Sequence, residues 1–93
     1  MNKIIMKEMS IQEAQKIGID NWETWECEAS VFDWEFEELE VCYFFEGDVV
    51  VTVGDEVAHI KEGMLVSFPK GMKCTWNVSK KIRKAYTYNY IIK

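Results

Sequence analysis

The sequence predicts an all-β fold, an antiparallel sandwich or barrel, with one short helix near the N-terminus. Three observations carry this. Apolar and polar residues alternate strictly through Phe32-Asp33-Trp34-Glu35-Phe36-Glu37, the period of a strand with one buried face. From Glu40 to Trp76, short runs rich in Val, Ile and aromatic residues are separated by Gly47-Asp48, Gly54-Asp55 and Glu62-Gly63, at the close spacing of hairpins. Helical spacing occurs at Ile11, Ala14 and Ile17, behind a capping signal.

Taken in order, residues 2–8 alternate weakly and are expected to form an edge strand. Ser10 stands three residues before Glu13, the capping-box arrangement in which each side chain satisfies an otherwise unpaired amide, and Gly18 is a suitable stop. The short helix between them is expected to pack on the outside of something larger. Trp22–Ala29 reads as a strand, with Ser30 as a break, and residues 32–37 follow with Phe32, Trp34 and Phe36 facing inward. Glu40–Glu46, Val49–Val53 and Glu56–Lys61 are expected as separate strands joined by Gly47-Asp48 and Gly54-Asp55. Met64–Phe68 then runs between a glycine turn and Pro69-Lys70-Gly71, where proline ends the ladder and glycine lets the chain reverse. A short strand carries Cys74 and Trp76 on one face. Lys80-Lys81 is expected to be a solvated turn, and Ile82–Ile92 a long closing strand with Tyr86, Tyr88 and Tyr90 on one face.

Ninety-three residues allow a single domain with one core, residues 1–21 forming an extension to a barrel over 22–92. Hydrophobic residues make up 48 % and aromatic ones 14 %, enough to fill that core and far from a disordered composition. The net charge of -5 disfavours nucleic acid and anionic membrane as partners. No apolar run approaches the ~20 residues of a membrane span, and residues 1–8 are too short and too charged for a signal peptide, so a cytoplasmic location is expected. Cys27, Cys42 and Cys74 form no CxxC pair and read as reduced thiols.

Two spacings connect the chain to a known superfamily. Glu40, six residues, then Gly47 matches the end of the first cupin motif. Gly63, five residues, Pro69, one residue, Gly71, two residues, then Cys74 matches most of the second, and 15 residues separate the two motifs. Taken with Trp22-Glu23-Thr24-Trp25-Glu26, Phe32-Asp33-Trp34 and Arg83-Lys84-Ala85-Tyr86, the chain resembles, from about Asp20 to Tyr88, the small single-domain cupins related to (S)-ureidoglycine aminohydrolase. That resemblance implies a conical antiparallel β-barrel of the double-stranded β-helix or jelly-roll type, with any site inside its wider mouth.

A metal-binding cupin presents His-x-His, then Glu, then a later His. By the resemblance those positions fall here on Trp34 and Phe36, or on Asp33 and Glu35 with the longer spacing, then on Glu40 and Cys74. The alternation selects Trp34 and Phe36 as the inward pair. Rings offer a cation no donor atom, and one carboxylate with one thiol falls short of the three or four protein ligands of tight zinc or iron sites, so no metal or other cofactor is expected.

With period two maintained, Glu40, Cys42 and Phe44 face the interior together with Trp34, Phe36, Cys74 and Trp76. The resulting pocket is expected to bind a small organic ligand through Trp34, Phe36, Cys42, Phe44, Trp76 and Tyr86. Glu40 and Cys74 are the catalytic candidates. A carboxyl among rings has its pKa raised by desolvation unless Arg or Lys stands beside it, and such a group serves as acid, base or acceptor. The alternative is an enzyme of the aminohydrolase or isomerase kind with Glu40 as acid or base and Cys74 or Tyr86 assisting. Ala85 stands where the family pattern commonly has a histidine after Arg-Lys, which counts against that role. A third reading is a structural or oligomerising module, such as a homodimer, paired through exposed edge strands. His59 is expected to face solvent or cap a strand. Lys80, Lys81, Arg83 and Lys84 are expected to be surface charge at a turn.

Overall fold

The computed structural model describes residues 3–92. Strand β1 spans Ile5–Glu8 and helix α1 Ile11–Lys16, followed by a 3-10 turn over Ile19–Asn21. Then come β2 (Glu23–Cys27), β3 (Ser30–Glu35), β4 (Glu40–Val53), β5 (Glu56–Lys61), β6 (Met64–Phe68) and β7 (Lys73–Tyr88). All the pairings are antiparallel.

The frame is the pairing of β4 with β7, from Glu40↔Tyr88 to Thr52↔Thr75, interrupted by register shifts between Phe44 and Val49. At those shifts both strands pass from one half of the barrel to the other. One half runs β1-β6-β4-β7-β2, using the first part of β4 and the last part of β7; the other runs β5-β4-β7-β3, using the remaining parts. The halves pack face to face. Phe36 stacks on Phe68 with ring centroids 4.6 Å apart, and Trp76 lies 5.5 Å from Phe68, so side chains of β6, β7 and the residue just after β3 meet across the interior.

Two expected turns and one expected break prove to be parts of strands. Gly47-Asp48 does not reverse the chain; it is an irregularity inside the fourteen-residue β4. Gly47 adopts φ +127°, and a Cβ there would sit 2.9 Å from the Ile82 Cα, so glycine is what lets β7 approach the bend. Lys80-Lys81 likewise lies inside a continuous β7, because the bend in β4 needs a partner strand bending with it. Ser30 begins β3 instead of breaking a strand. Its hydroxyl donates to the Glu28 carbonyl at 2.9 Å, and β2 and β3 follow β7 in succession with a one-residue slip between Cys27↔Ile82 and Ser30↔Val78.

The closing strand also ends early, at Tyr88. Asn89 takes φ +60° and donates its backbone N–H to the Leu39 carbonyl at 2.8 Å, which breaks the period of two. Tyr90 therefore leaves the face of Tyr86 and Tyr88 and packs against Trp22, 5.7 Å away.

Elsewhere expectation and structure agree. The capping box forms in both directions between Ser10 and Glu13, and β1 is an edge strand on β6. The helical segment covers the outer face of the first half, where Ala14 and Ile19 pack with Val41, Tyr43, Leu65 and Ala85. The Tyr43 hydroxyl donates to the Met9 carbonyl at 2.9 Å, tying that cover to β4. His59 is exposed, with Nε2 2.6 Å from Asp48 Oδ1. No described helix is long and apolar enough to cross a membrane.

The bend supplies a direct test. Gly47→Ala combines an unfavourable backbone conformation with a clash against β7, and should lower the unfolding free energy by about 2–5 kcal/mol in urea titration. Gly54→Ala, with nothing within 4 Å of the added carbon, should lose only about 1–2 kcal/mol.

Candidate functional site

Alternation along β4 sends Val41, Tyr43 and Phe45 to the helix-covered face and Glu40, Cys42 and Phe44 to the interior. The same alternation along β7 sends Ile82, Lys84, Tyr86 and Tyr88 inward. The cross-strand register sets Glu40 opposite Tyr88, Cys42 opposite Tyr86 and Phe44 opposite Lys84. Glu40 and Lys84 thus come to share one interior face, with Cys42 between them: Lys84 is diagonal to Cys42 across the β4–β7 ladder and reaches along the strand to Glu40.

Their contact is the chief feature of the interior. Lys84 Nζ donates to Glu40 Oε2 at 3.1 Å and to Cys42 Sγ at 3.2 Å, while Cys42 Sγ–H donates to Glu40 Oε2 at 3.2 Å. The three groups close a ring of hydrogen bonds, with Glu40 8 % and Lys84 5 % exposed. Burial alone would push the Lys84 ammonium down; the sulfur of Cys42 and the carboxylate of Glu40 outweigh it and hold Lys84 above its ordinary value. Burial pushes the Cys42 thiol up to about 12, so it stays protonated and inert as a nucleophile near neutrality.

Rings surround the ammonium. Its nitrogen lies 4.9 Å from the centroid of Trp76, 5.0 Å from Trp25, 5.8 Å from Tyr86 and 5.9 Å from Phe44, all within cation–π range. Lys84 is therefore not surface charge at a turn, as its place in Lys80-Lys81-x-Arg83-Lys84 suggested. The continuity of β7 puts it one strand period from buried Ile82, while Arg83 between them faces outward and stacks its guanidinium 4.8 Å over Phe45. The signal was available in the alternation of Ile82, Lys84 and Tyr86.

Beside the ion pair opens a cavity of about 250 Å³. Phe32, Trp34, Phe36 and Trp76 line it from one half of the barrel, and Glu40, Lys84, Tyr86, Tyr88 and Trp25 from the other. Phe36 and Trp76 are buried, whereas Trp34 is 51 % exposed and stands at the rim. Among the described residues Glu40 Oε1 makes no hydrogen bond, and neither do the Tyr86 and Tyr88 hydroxyls. Burial first and the Glu40 charge second push the Tyr88 phenol up, which keeps it a donor. The Trp76 indole N–H is buried without a hydrogen-bond partner among the described residues.

Of the other residues expected at the pocket, Cys42 and Phe44 lie behind the cavity, in the packed core next to Lys84. Cys74 lies apart from Glu40. Its thiol donates to the Trp34 carbonyl at 3.6 Å and borders a separate shallow depression with Asp33, Glu35 and Lys73. Burial raises the Cys74 pKa. Trp25, Phe32, Lys84 and Tyr88 are the wall residues missing from the set expected at the pocket.

The fold implies a metal site, and the residues present do not fit one. The two histidine positions carry rings, the Cys74 sulfur is turned to a backbone carbonyl, and an ammonium already sits against Oε2 of the remaining carboxylate. Among the described residues no group of three or more His, Cys, Asp or Glu side chains is placed to hold a metal ion.

Two bent antiparallel strands shared between facing half-sheets, with an acid inside the mouth, define a cupin. Comparison with known families places residues 14–86 on the EutQ-like cupin domain, and the chain belongs to that family. It is similar to a DUF861 family protein of Thermotoga maritima at 35 % identity, with 94 % of this chain and 100 % of that one covered and a TM-score of 0.88. The Clostridium difficile EutQ protein shares the fold at 22 % identity and TM-score 0.65, over 94 % of this chain and 68 % of its own. A putative ethanolamine utilization protein Q of Salmonella typhimurium does so at 22 % identity and TM-score 0.62, over 68 % of this chain and about half of its own, 51 %. No functionally curated protein matches the chain.

Removing one member of the ion pair leaves the other charge buried. Lys84→Met should therefore destabilise by about 3–5 kcal/mol in chemical denaturation, and Glu40→Leu combined with Lys84→Met should recover most of that loss. The pH dependence has a definite sign. Cys42 and Lys84 both hold their protons more tightly folded than unfolded, so their contribution is complete below the unfolded values and is lost as pH rises through the folded ones. Stability should fall from pH 9 toward about 12, and Cys42→Ala should flatten the first part of that fall.

Proposed function

We propose that this cupin binds a small organic molecule inside its barrel and does so without a metal. The observation that carries the reading is the joining of ring walls from both half-sheets with a carboxylate and an ammonium around one 250 Å³ cavity. Its size lies just below the ~300–1,000 Å³ typical of ligand pockets, which suits a compact ligand. A mainly apolar lining with a few convergent polar groups is the usual composition of such sites. The tethered ammonium supplies the positive charge that a bound cation provides in metal-binding cupins, and it does not exchange.

A second reading has one observation in its favour. Glu40 lines the cavity and its Oε1 makes no hydrogen bond among the described residues, which leaves an oxygen of the carboxyl to give or take a proton from a ligand. This is the role that resemblance to the cupins related to ureidoglycine aminohydrolase implies. Cys74 lends it no support, being turned toward the Trp34 carbonyl. Turnover that Glu40→Gln abolishes, with ligand affinity retained, would establish it.

The binding reading predicts that a ligand found by thermal shift in a metabolite panel quenches tryptophan fluorescence with the same affinity before and after treatment with EDTA. Trp34→Ala at the rim should weaken that ligand by roughly tenfold while leaving the melting temperature of the free protein within a few degrees. Affinity abolished by EDTA and restored by a divalent ion would overturn it.

A further inference from the structure

The ligand's chemistry can be taken one step further, resting on the reading of the cavity as a binding site. Glu40 and Lys84 neutralise each other, so a ligand with net charge meets no unmatched counter-charge in the wall. An anion drawn to Nζ faces the Glu40 carboxylate next to it, and a cation drawn to the carboxylate faces Nζ. What the pair leaves open is directional. The carboxylate has spent Oε2 on Lys84 and Cys42, and Oε1 makes no hydrogen bond among the described residues. The ammonium has three donors, of which Glu40 and Cys42 take two.

Glu40 and Lys84 both line the cavity, so the pair leaves one acceptor and one donor unspent in its wall. Facing them, the rings of Phe36 and Trp76 are buried, and Trp34 reaches over the rim. From this juxtaposition we infer that the cavity is built for a neutral, flat molecule carrying a hydrogen-bond donor and acceptor on neighbouring atoms, the edge of a primary carboxamide or a lactam-type heterocycle. The N–H of that edge donates to Glu40 Oε1, its carbonyl accepts from Lys84 Nζ, and its plane lies against the rings. A site whose buried polar groups each need a partner rejects analogues that cannot supply one.

Four one-ring probes test this: benzamide, benzoate, benzylamine and N,N-dimethylbenzamide, each titrated into the full chain by tryptophan fluorescence with calorimetry as a second readout. Benzamide should bind roughly tenfold or more tightly than each of the others, because each lacks one partner or adds an unmatched charge. In the double variant Glu40→Leu, Lys84→Met, which keeps the ring walls, binding of benzamide and N,N-dimethylbenzamide should become equal within about twofold, once melting confirms the fold. Benzoate, benzylamine or N,N-dimethylbenzamide binding as tightly as benzamide to the unaltered chain would overturn the assignment of the edge while leaving the cavity as a binding site. A preference for benzamide that survives in the double variant would do the same. If no probe changes either signal, both the edge and the cavity reading fail.

Discussion

A charge taken out of water needs its opposite close by, and in this protein the interior is arranged to supply it. Glu40 lies among rings where an isolated carboxylate would be unstable, and Lys84 meets it at 3.1 Å from the neighbouring strand. Neither group is reached by any other arrangement of β4 and β7: a one-residue slip would turn Glu40 and Cys42 outward and bring Val41 and Tyr43 in, leaving Lys84 facing apolar side chains. The ion pair therefore specifies register as well as charge balance. The indole of Trp76 and the ring of Trp25 complete the surroundings of the ammonium, giving back through their π-faces part of the hydration that it loses.

That arrangement depends on a backbone feature some distance away. Lys84 faces the interior because β7 runs unbroken past Lys80 and Lys81, and β7 is unbroken because it follows β4 around the bend at Gly47. With a side chain at Gly47 the two strands could not approach at Ile82, two residues before Lys84. The same bend divides the long strands between facing half-sheets, so that Phe36 and Trp76 come to lie opposite Glu40 and Tyr86. Fold and site share one local cause.

The strands whose character came from side-chain alternation were legible: Phe32 to Phe36, Glu40 to Phe44 and the Met64–Phe68 segment all face as the period of two requires, and the capping box of Ser10 and Glu13 announced the helix. What the sequence concealed were places where a turn signal was really a bend. Gly47-Asp48 has the composition of a hairpin loop, and only pairing with a distant strand shows that the chain continues through it. Lys80-Lys81 misled for a related reason, since a run of cations reads as solvated until alternation is carried across it. Splitting β7 there severed Lys84 from the inward set of Ile82 and Tyr86. Tyr90 was grouped with Tyr86 and Tyr88 because nothing local marks the left-handed conformation of Asn89, which tolerates that region better than most residues. Glu40 was expected to be perturbed unless a cation stood beside it; the cation was in the sequence, assigned to the wrong face.

Replacing an exchangeable metal ion by a tethered ammonium changes what such a barrel can recognise. A divalent ion carries a surplus of charge over one carboxylate and draws anionic oxygen into its coordination sphere, largely irrespective of the rest of the ligand. A lysine paired one-to-one with that carboxylate leaves no surplus, and its remaining donor is a single N–H with a fixed direction. In the binding reading proposed above, attraction at a distance is exchanged for discrimination at contact, and the weight of affinity moves to the ring walls. Trp34 and Phe36 at both expected histidine positions fit the proposed reading physically: with the cation covalently part of β7, ligands for it are superfluous, and in that proposal the space they would take serves as apolar surface against a flat molecule.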